Sequence, residues 1–96
     1  AREDRARKRD EAENRQAKHR ATKDLRRSVD RIEKQLAEAE REVAELNRQL
    51  ADPEVYGDPE RVAELSKTFG LAKDRAAALM DEWTDASMRL ESTQGA

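Results

Sequence analysis

Apolar side chains return in a four–three rhythm along most of this chain. From Leu25 they fall at Leu25, Val29, Ile32, Leu36, Ala39, Val43, Leu46 and Leu50, in steps of 4, 3, 4, 3, 4, 3 and 4. A stripe of that period keeps one narrow face of a helix turned toward a partner helix. Most residues between these positions are Glu, Arg, Gln and Ala, all strong helix formers. A second stripe follows at Val62, Leu65, Phe69, Ala72, Ala76, Leu79, Trp83, Ala86 and Leu90, with alternating steps of 3 and 4. Gly70 lies inside it; glycine costs a helix about 1 kcal/mol relative to alanine, but the pattern runs on through it. Neither stripe can bury itself, and their lengths nearly match. Each is therefore the expected partner of the other.

The segment between them, Ala51 to Glu60, carries two Asp-Pro pairs. In each, the aspartate reads as an N-cap and the proline as the first helical residue. Pro53 ends the first helix, because a proline pushes the residue before it out of the α region. Gly57 is expected to close the turn in the left-handed conformation. So short a link predicts antiparallel helices. The expected fold is thus all-α, a two-helix antiparallel coiled-coil hairpin over residues 25–91. Helix one covers about 20–51, the turn 52–58 and helix two about 59–91. The hairpin tip comprises Asp52, Pro53, Val55, Tyr56, Gly57, Asp58 and Pro59, with Val55 and Tyr56 plugging the end of the seam.

Counting outward from the tip sets the register. Leu50 faces Val62, Val43 lies near Phe69, Leu36 near Ala76, Ile32 near Leu79 and Val29 near Trp83, with Ala39 opposite Ala72. Leu25, Leu46 and Leu65 complete the large seam residues. Met88 and Leu90 run past Leu25 and are expected to dock on Ala17 and Ala21. Residues 92–96 are expected to be a disordered tail.

Composition narrows the function. The chain has 96 residues, enough for one small domain, with 44% charged residues and three aromatics in all. Such a composition suits exposed helices better than a compact globule. Its first residue is Ala rather than Met, so the chain is expected to be a fragment of a longer protein. There is no cysteine, hence no disulfide framework. No apolar run approaches the roughly 20 residues needed to cross a bilayer, and no signal peptide is visible. A cytoplasmic location and no membrane partner are expected. With one His and no Cys, no zinc constellation is possible. His19 reads as an ordinary exposed residue. No phosphate-binding Walker loop occurs, so neither catalysis nor a cofactor is expected within these residues.

The net charge of −2 conceals a strong asymmetry. Residues 1–27 hold eleven Lys/Arg against six acids, a net of +5, whereas residues 28–60 hold four against ten, a net of −6. Residues 1–24 thus form a basic, charged arm, either a helical extension or partly disordered, on an acidic hairpin. The candidate phosphate-contacting residues are Arg7, Lys8, Arg9, Arg15, Lys18, Arg20, Lys23, Arg26 and Arg27. Arginine and lysine neutralise backbone phosphates without reading sequence.

The stretch from Leu25 to Glu91 resembles the C-terminal coiled-coil domain of ABC-F family ATPases. Three features carry the likeness: the heptads running into Gln49-Leu50-Ala51-Asp52-Pro53-Glu54-Val55-Tyr56, the restart at Asp58-Pro59-Glu60-Arg61-Val62-Ala63-Glu64-Leu65, and Glu82-Trp83 before Leu90-Glu91. The family usually carries Arg before this Trp; here Glu82 stands there. The charged run 1–24 looks like the linker after the second nucleotide-binding domain. The resemblance implies a parent ATPase whose ATP and Mg sit in its nucleotide-binding domains, in cis to this hairpin. It also implies work in translation or antibiotic resistance at the ribosome, with DNA or ribosomal RNA as a partner. The tip and the Glu64-Leu65-Ser66-Lys67 restart also look like the N-terminal helical hairpin of peptide-chain release factors.

Three functional classes follow. The first is a non-catalytic appendage that contacts nucleic acid through its basic arm. The second is a structural or protein-interaction hairpin, whose tip meets another protein. The third is a basic-zipper-like dimer, which Pro53 disfavours because it cuts the seam. A hairpin that satisfies its own seam is expected to be a monomer.

Overall fold

The computed structural model describes residues 1–94 as two long helices joined by one short turn. Helix α1 spans Arg2–Leu50, a 3-10 turn spans Pro53–Gly57, and helix α2 spans Pro59–Gln94. The helices lie antiparallel in a rod of 84 × 19 × 14 Å. The expected all-α hairpin is therefore the fold.

The core is a single line of side chains. The buried residues are Val29, Ile32, Ala39 and Leu46 from α1, with Leu65, Ala72, Leu79 and Ala86 from α2. No polar or charged residue is buried among those described. Ile32, Ala39 and Leu46 are seven apart, as are Leu65, Ala72, Leu79 and Ala86. One column of each stripe thus occupies the centre of the seam. The other column, Leu36, Val43 and Leu50 with Val62, Phe69, Ala76, Trp83 and Leu90, lies half-buried along its edges.

The clusters agree with the count from the tip in placing Val43 near Phe69 and Val29 near Trp83, but Ile32 packs with Ala86 rather than Leu79, and Ala72 packs with Leu46 rather than Ala39. Near it, Leu46, Leu65 and Ala72 cluster with Val43, Leu50, Val55 and Phe69. Near the far end, Val29, Ile32 and Ala86 cluster with Trp83 and Leu90. Trp83 also donates its indole N–H to Glu33 Oε1 at 3.0 Å, across the seam. Because the core is thin, a large-to-small change at its centre removes a substantial part of the burial that drives folding.

Both Asp-Pro pairs cap as expected. Asp52 is extended (φ −75, ψ 118) and its side chain accepts the Glu54 N–H at 3.0 Å. Asp58 accepts the Arg61 N–H at 3.2 Å, starting α2. Val55 packs into the cluster at the tip. Tyr56 departs from the apolar plug expected of it: the residue is 58% exposed. Its hydroxyl instead donates to the Leu50 carbonyl at 2.7 Å. That carbonyl is one of those a helix end leaves without a partner. Gly57 is a second correction, since no described residue takes a positive φ. The 3-10 turn leads directly into the extended Asp58 (φ −124, ψ 96), so no left-handed step is needed.

The ends differ from expectation in three ways. Helix α1 starts at Arg2 rather than near residue 20. Its first turns are Ala, Arg, Lys, Glu and Asp, and once a helix is nucleated each added residue gains a hydrogen bond. Asp4 and Arg7 add an ion pair at 3.2 Å on this stretch. Met88 is 62% exposed, and Ala17 and Ala21 are exposed. Only Leu90 turns inward, and it packs on the Val29 cluster instead of the arm. Residues 92–94 continue α2, with the Ser92 and Thr93 hydroxyls donating to Met88 O at 3.1 Å and Leu90 O at 2.7 Å. The rest of the expected tail, residues 95–96, lies outside the described residues.

Two stability changes follow. A Cβ on Gly70 would meet nothing within 4 Å, so Gly70→Ala should raise unfolding stability by about 1 kcal/mol in urea titrations; a loss of stability would mean that this site is not an open helix surface. Tyr56→Phe should cost about 1 kcal/mol, the usual net value of a hydrogen bond, with helical circular dichroism retained. An unchanged midpoint would remove the hydroxyl from the account of how α1 ends.

Candidate nucleic-acid interface

The basic arm is the overhanging end of α1. Leu25 lies beside Ala86 and Arg89 and α2 ends at Gln94, so α1 before about residue 20 has no helix beside it. No residue before Val29 is buried. All nine candidate cations, Arg7, Lys8, Arg9, Arg15, Lys18, Arg20, Lys23, Arg26 and Arg27, are exposed on this one helix. Of these, Arg7 is engaged by Asp4. The other eight hold no ion pair among the described residues.

The arm does not gather these cations on one face. Arg15, Lys18, His19, Thr22, Lys23 and Arg26 line a shallow concavity. Arg15 and Lys18 continue the seam face past the point where α2 ends. The arm therefore shows cations where the paired region shows Leu and Val. Arg20 and Arg27, seven residues apart, stand on the opposite side of the helix. Beyond Arg27 the same seven-residue spacing continues through Lys34, Arg41 and Arg48, all exposed. These last three were absent from the expected contact set. A count of charge by segment hides them, because they lie within the acidic stretch; a count by heptad position finds them.

Arg48 is the exception among the three. It pairs with Glu45 at 2.6 Å, and Gln49 also donates to Glu45 at 3.2 Å. Hydrogen bonds from Arg48 and Gln49 hold the Glu45 carboxyl below the usual carboxylate range. Water surrounds this pair, so it orders the last turn of α1 more than it stabilises the fold.

The remaining surface offers a different chemistry. Leu36, Ala37, Met80 and Trp83 floor a groove between the helices, rimmed by Glu33 and Glu40. The tip residues Asp52, Pro53, Asp58 and Pro59 are exposed but committed to capping and helix starts. Among the described residues, no group of three or more His, Asp or Glu is placed to hold a metal ion. No helix there is long and apolar enough to cross a membrane.

Residues 20–88 match the family model described as the ABC transporter C-terminal domain. No curated protein and no solved structure matches the chain. The matched stretch takes in the whole tip and nearly all of both stripes, and it covers well over half of the sequence. The chain belongs to the ABC transporter C-terminal domain family.

Proposed function

We propose that this hairpin is the non-catalytic C-terminal appendage of an ABC-F ATPase and binds duplex nucleic acid, DNA or ribosomal RNA, through its basic side. Family membership makes it an appendage of an ABC protein. The ABC-F subfamily rests on the tip and Trp83 motifs quoted above. On this reading ATP and Mg act in the parent's nucleotide-binding domains, in cis, and the whole protein works in the cytoplasm at the ribosome, in translation or antibiotic resistance.

One observation carries the nucleic-acid reading. Eight exposed cations without an ion pair among the described residues stand on the N-terminal half of α1, and Lys8, Arg9, Arg15 and Lys18 lie where no helix runs beside it. Helix α1 has no aromatic residue. Proteins that hold single strands stack bases on aromatic rings, so this helix suits phosphates of a duplex better than unpaired bases. Binding of this kind is electrostatic and weakens steeply with salt. The hairpin acts as a monomer, since its seam is filled from within the chain.

A protein-interaction role is the second reading, favoured by the groove at Leu36, Met80 and Trp83. Its acidic rim suits a basic partner rather than a phosphate backbone. The tip adds little to this reading, because Val55 is packed inward and the Tyr56 hydroxyl is engaged.

Titrating the chain with duplex DNA and with structured RNA, at rising salt, tests the first reading. Affinity should fall by several powers of ten between about 50 and 200 mM salt if six or more phosphates are contacted. Reversing charge at Arg26 and Arg27 should weaken binding at every salt concentration. Absence of binding at low salt, or binding indifferent to that reversal, would leave the protein-interaction reading in its place.

A further inference from the structure

The cations at Arg20, Arg27, Lys34, Arg41 and Arg48 recur every seven residues without interruption. They occupy the α1 position that points directly away from α2, and every one is exposed. Three of the four cations in residues 28–60 fall on this line; its ten acids all fall elsewhere on the hairpin. The acidic body therefore carries a basic spine. From Arg20 to Arg41 the spine covers about 32 Å of helix, with a cation every ~10.5 Å. That length corresponds to roughly nine base pairs of duplex at about 3.4 Å each.

The geometry points to an interface with duplex nucleic acid that runs along the back of α1, from Arg20 through Arg27 and Lys34 to Arg41, rather than stopping with the arm. This rests on the nucleic-acid reading above and extends it into the acidic half of the chain. Arg48 is left out because Glu45 holds it. Arg20, Arg27, Lys34 and Arg41 have no ion-pair partner among the described residues. The apolar residues nearest this line are Ala44 and Ala37, the latter also lining the groove beside Trp83, and both are too small to anchor a protein partner. Protein interfaces draw most of their energy from buried aromatic or large side chains. A polyanion needs only a row of cations with room to approach, and a straight helix presents one. Flanking acids such as Glu38 set a limit on affinity and would favour duplex geometries that touch the spine and clear its sides.

The test uses the full 96-residue chain and a fluorescent 24-base-pair duplex, as DNA and as RNA, across a salt series. Lys34→Gln with Arg41→Gln removes two spine charges in exposed positions, so the hairpin should fold unchanged by circular dichroism. The salt slope of log affinity should become shallower by about 2, close to 0.9 per lost phosphate contact. Arg15→Glu with Lys18→Glu serves as the arm control, since neither residue lies on the spine. A spine variant with the slope and affinity of the unsubstituted chain, beside a weakened arm variant, would overturn the spine and leave the arm interface standing. If the unsubstituted chain binds neither duplex at low salt, the underlying reading falls and the spine with it. DNA and RNA arms that respond alike identify the shared phosphate backbone as the ligand; a response in one alone identifies that duplex.

Discussion

The fold depends on one interaction, the burial of a single heptad column of α1 against a single column of α2. Ile32, Ala39 and Leu46 meet Leu65, Ala72, Leu79 and Ala86 along the axis of the rod. No second layer stands behind them. Small domains are marginal because their surface outruns their core, and this one is nearly all surface. Three of the eight buried residues are alanines, which let the helices approach closely but contribute little apolar area. The larger side chains on the edge column, with Trp83 and Phe69 foremost, therefore matter beyond their partial burial. Trp83 covers the Val29 cluster and ties its indole to Glu33, fixing register at the end remote from the turn.

That seam also decides where function can reside. A helix pair that satisfies its own apolar stripe leaves a surface made mostly of charged side chains among the described residues. The length difference between α1, with 49 residues, and α2, with 36, then exposes one end of α1 on all sides. The seam face of that overhang carries Arg15 and Lys18 in place of apolar residues. An unpaired helix end would aggregate if its seam stayed apolar. Charge there keeps it open to water and to anionic partners. The same helix thus serves as a structural half in one stretch and as a free cationic surface in another.

Much of this was legible in the residues. A four–three rhythm fixes which face of a helix is apolar, and two such faces joined by Asp-Pro caps leave only the antiparallel pairing. Val29 near Trp83 and Val43 near Phe69 follow by counting, whereas Ile32 meets Ala86 rather than Leu79. The errors came where burial and hydrogen bonding compete locally. Tyr56 reads as apolar in a pattern, yet its hydroxyl found the open Leu50 carbonyl and the residue stayed exposed. Gly57 reads as a left-handed hinge, yet the 3-10 turn made that step unnecessary. Composition leaves the arm open between a helical extension and partial disorder, and continuity with a nucleated helix extends it to Arg2. Met88 reads as an arm contact because it runs past Leu25, whereas its heptad position points outward. The basic spine was present in the sequence but invisible to a tally by segment. Seven-residue spacing of charge carries the same directional information as seven-residue spacing of leucines.

The pairing of the two helices within one molecule is tested most directly by nuclear Overhauser contacts between the Trp83 indole and the Val29 methyl groups. A uniformly labelled sample and an equal mixture of labelled and unlabelled chains would be compared. The expected result is a strong contact within labelled chains and none bridging labelled to unlabelled ones. A contact seen only between differently labelled chains, or no contact at all, would contradict the hairpin and everything built on its surface.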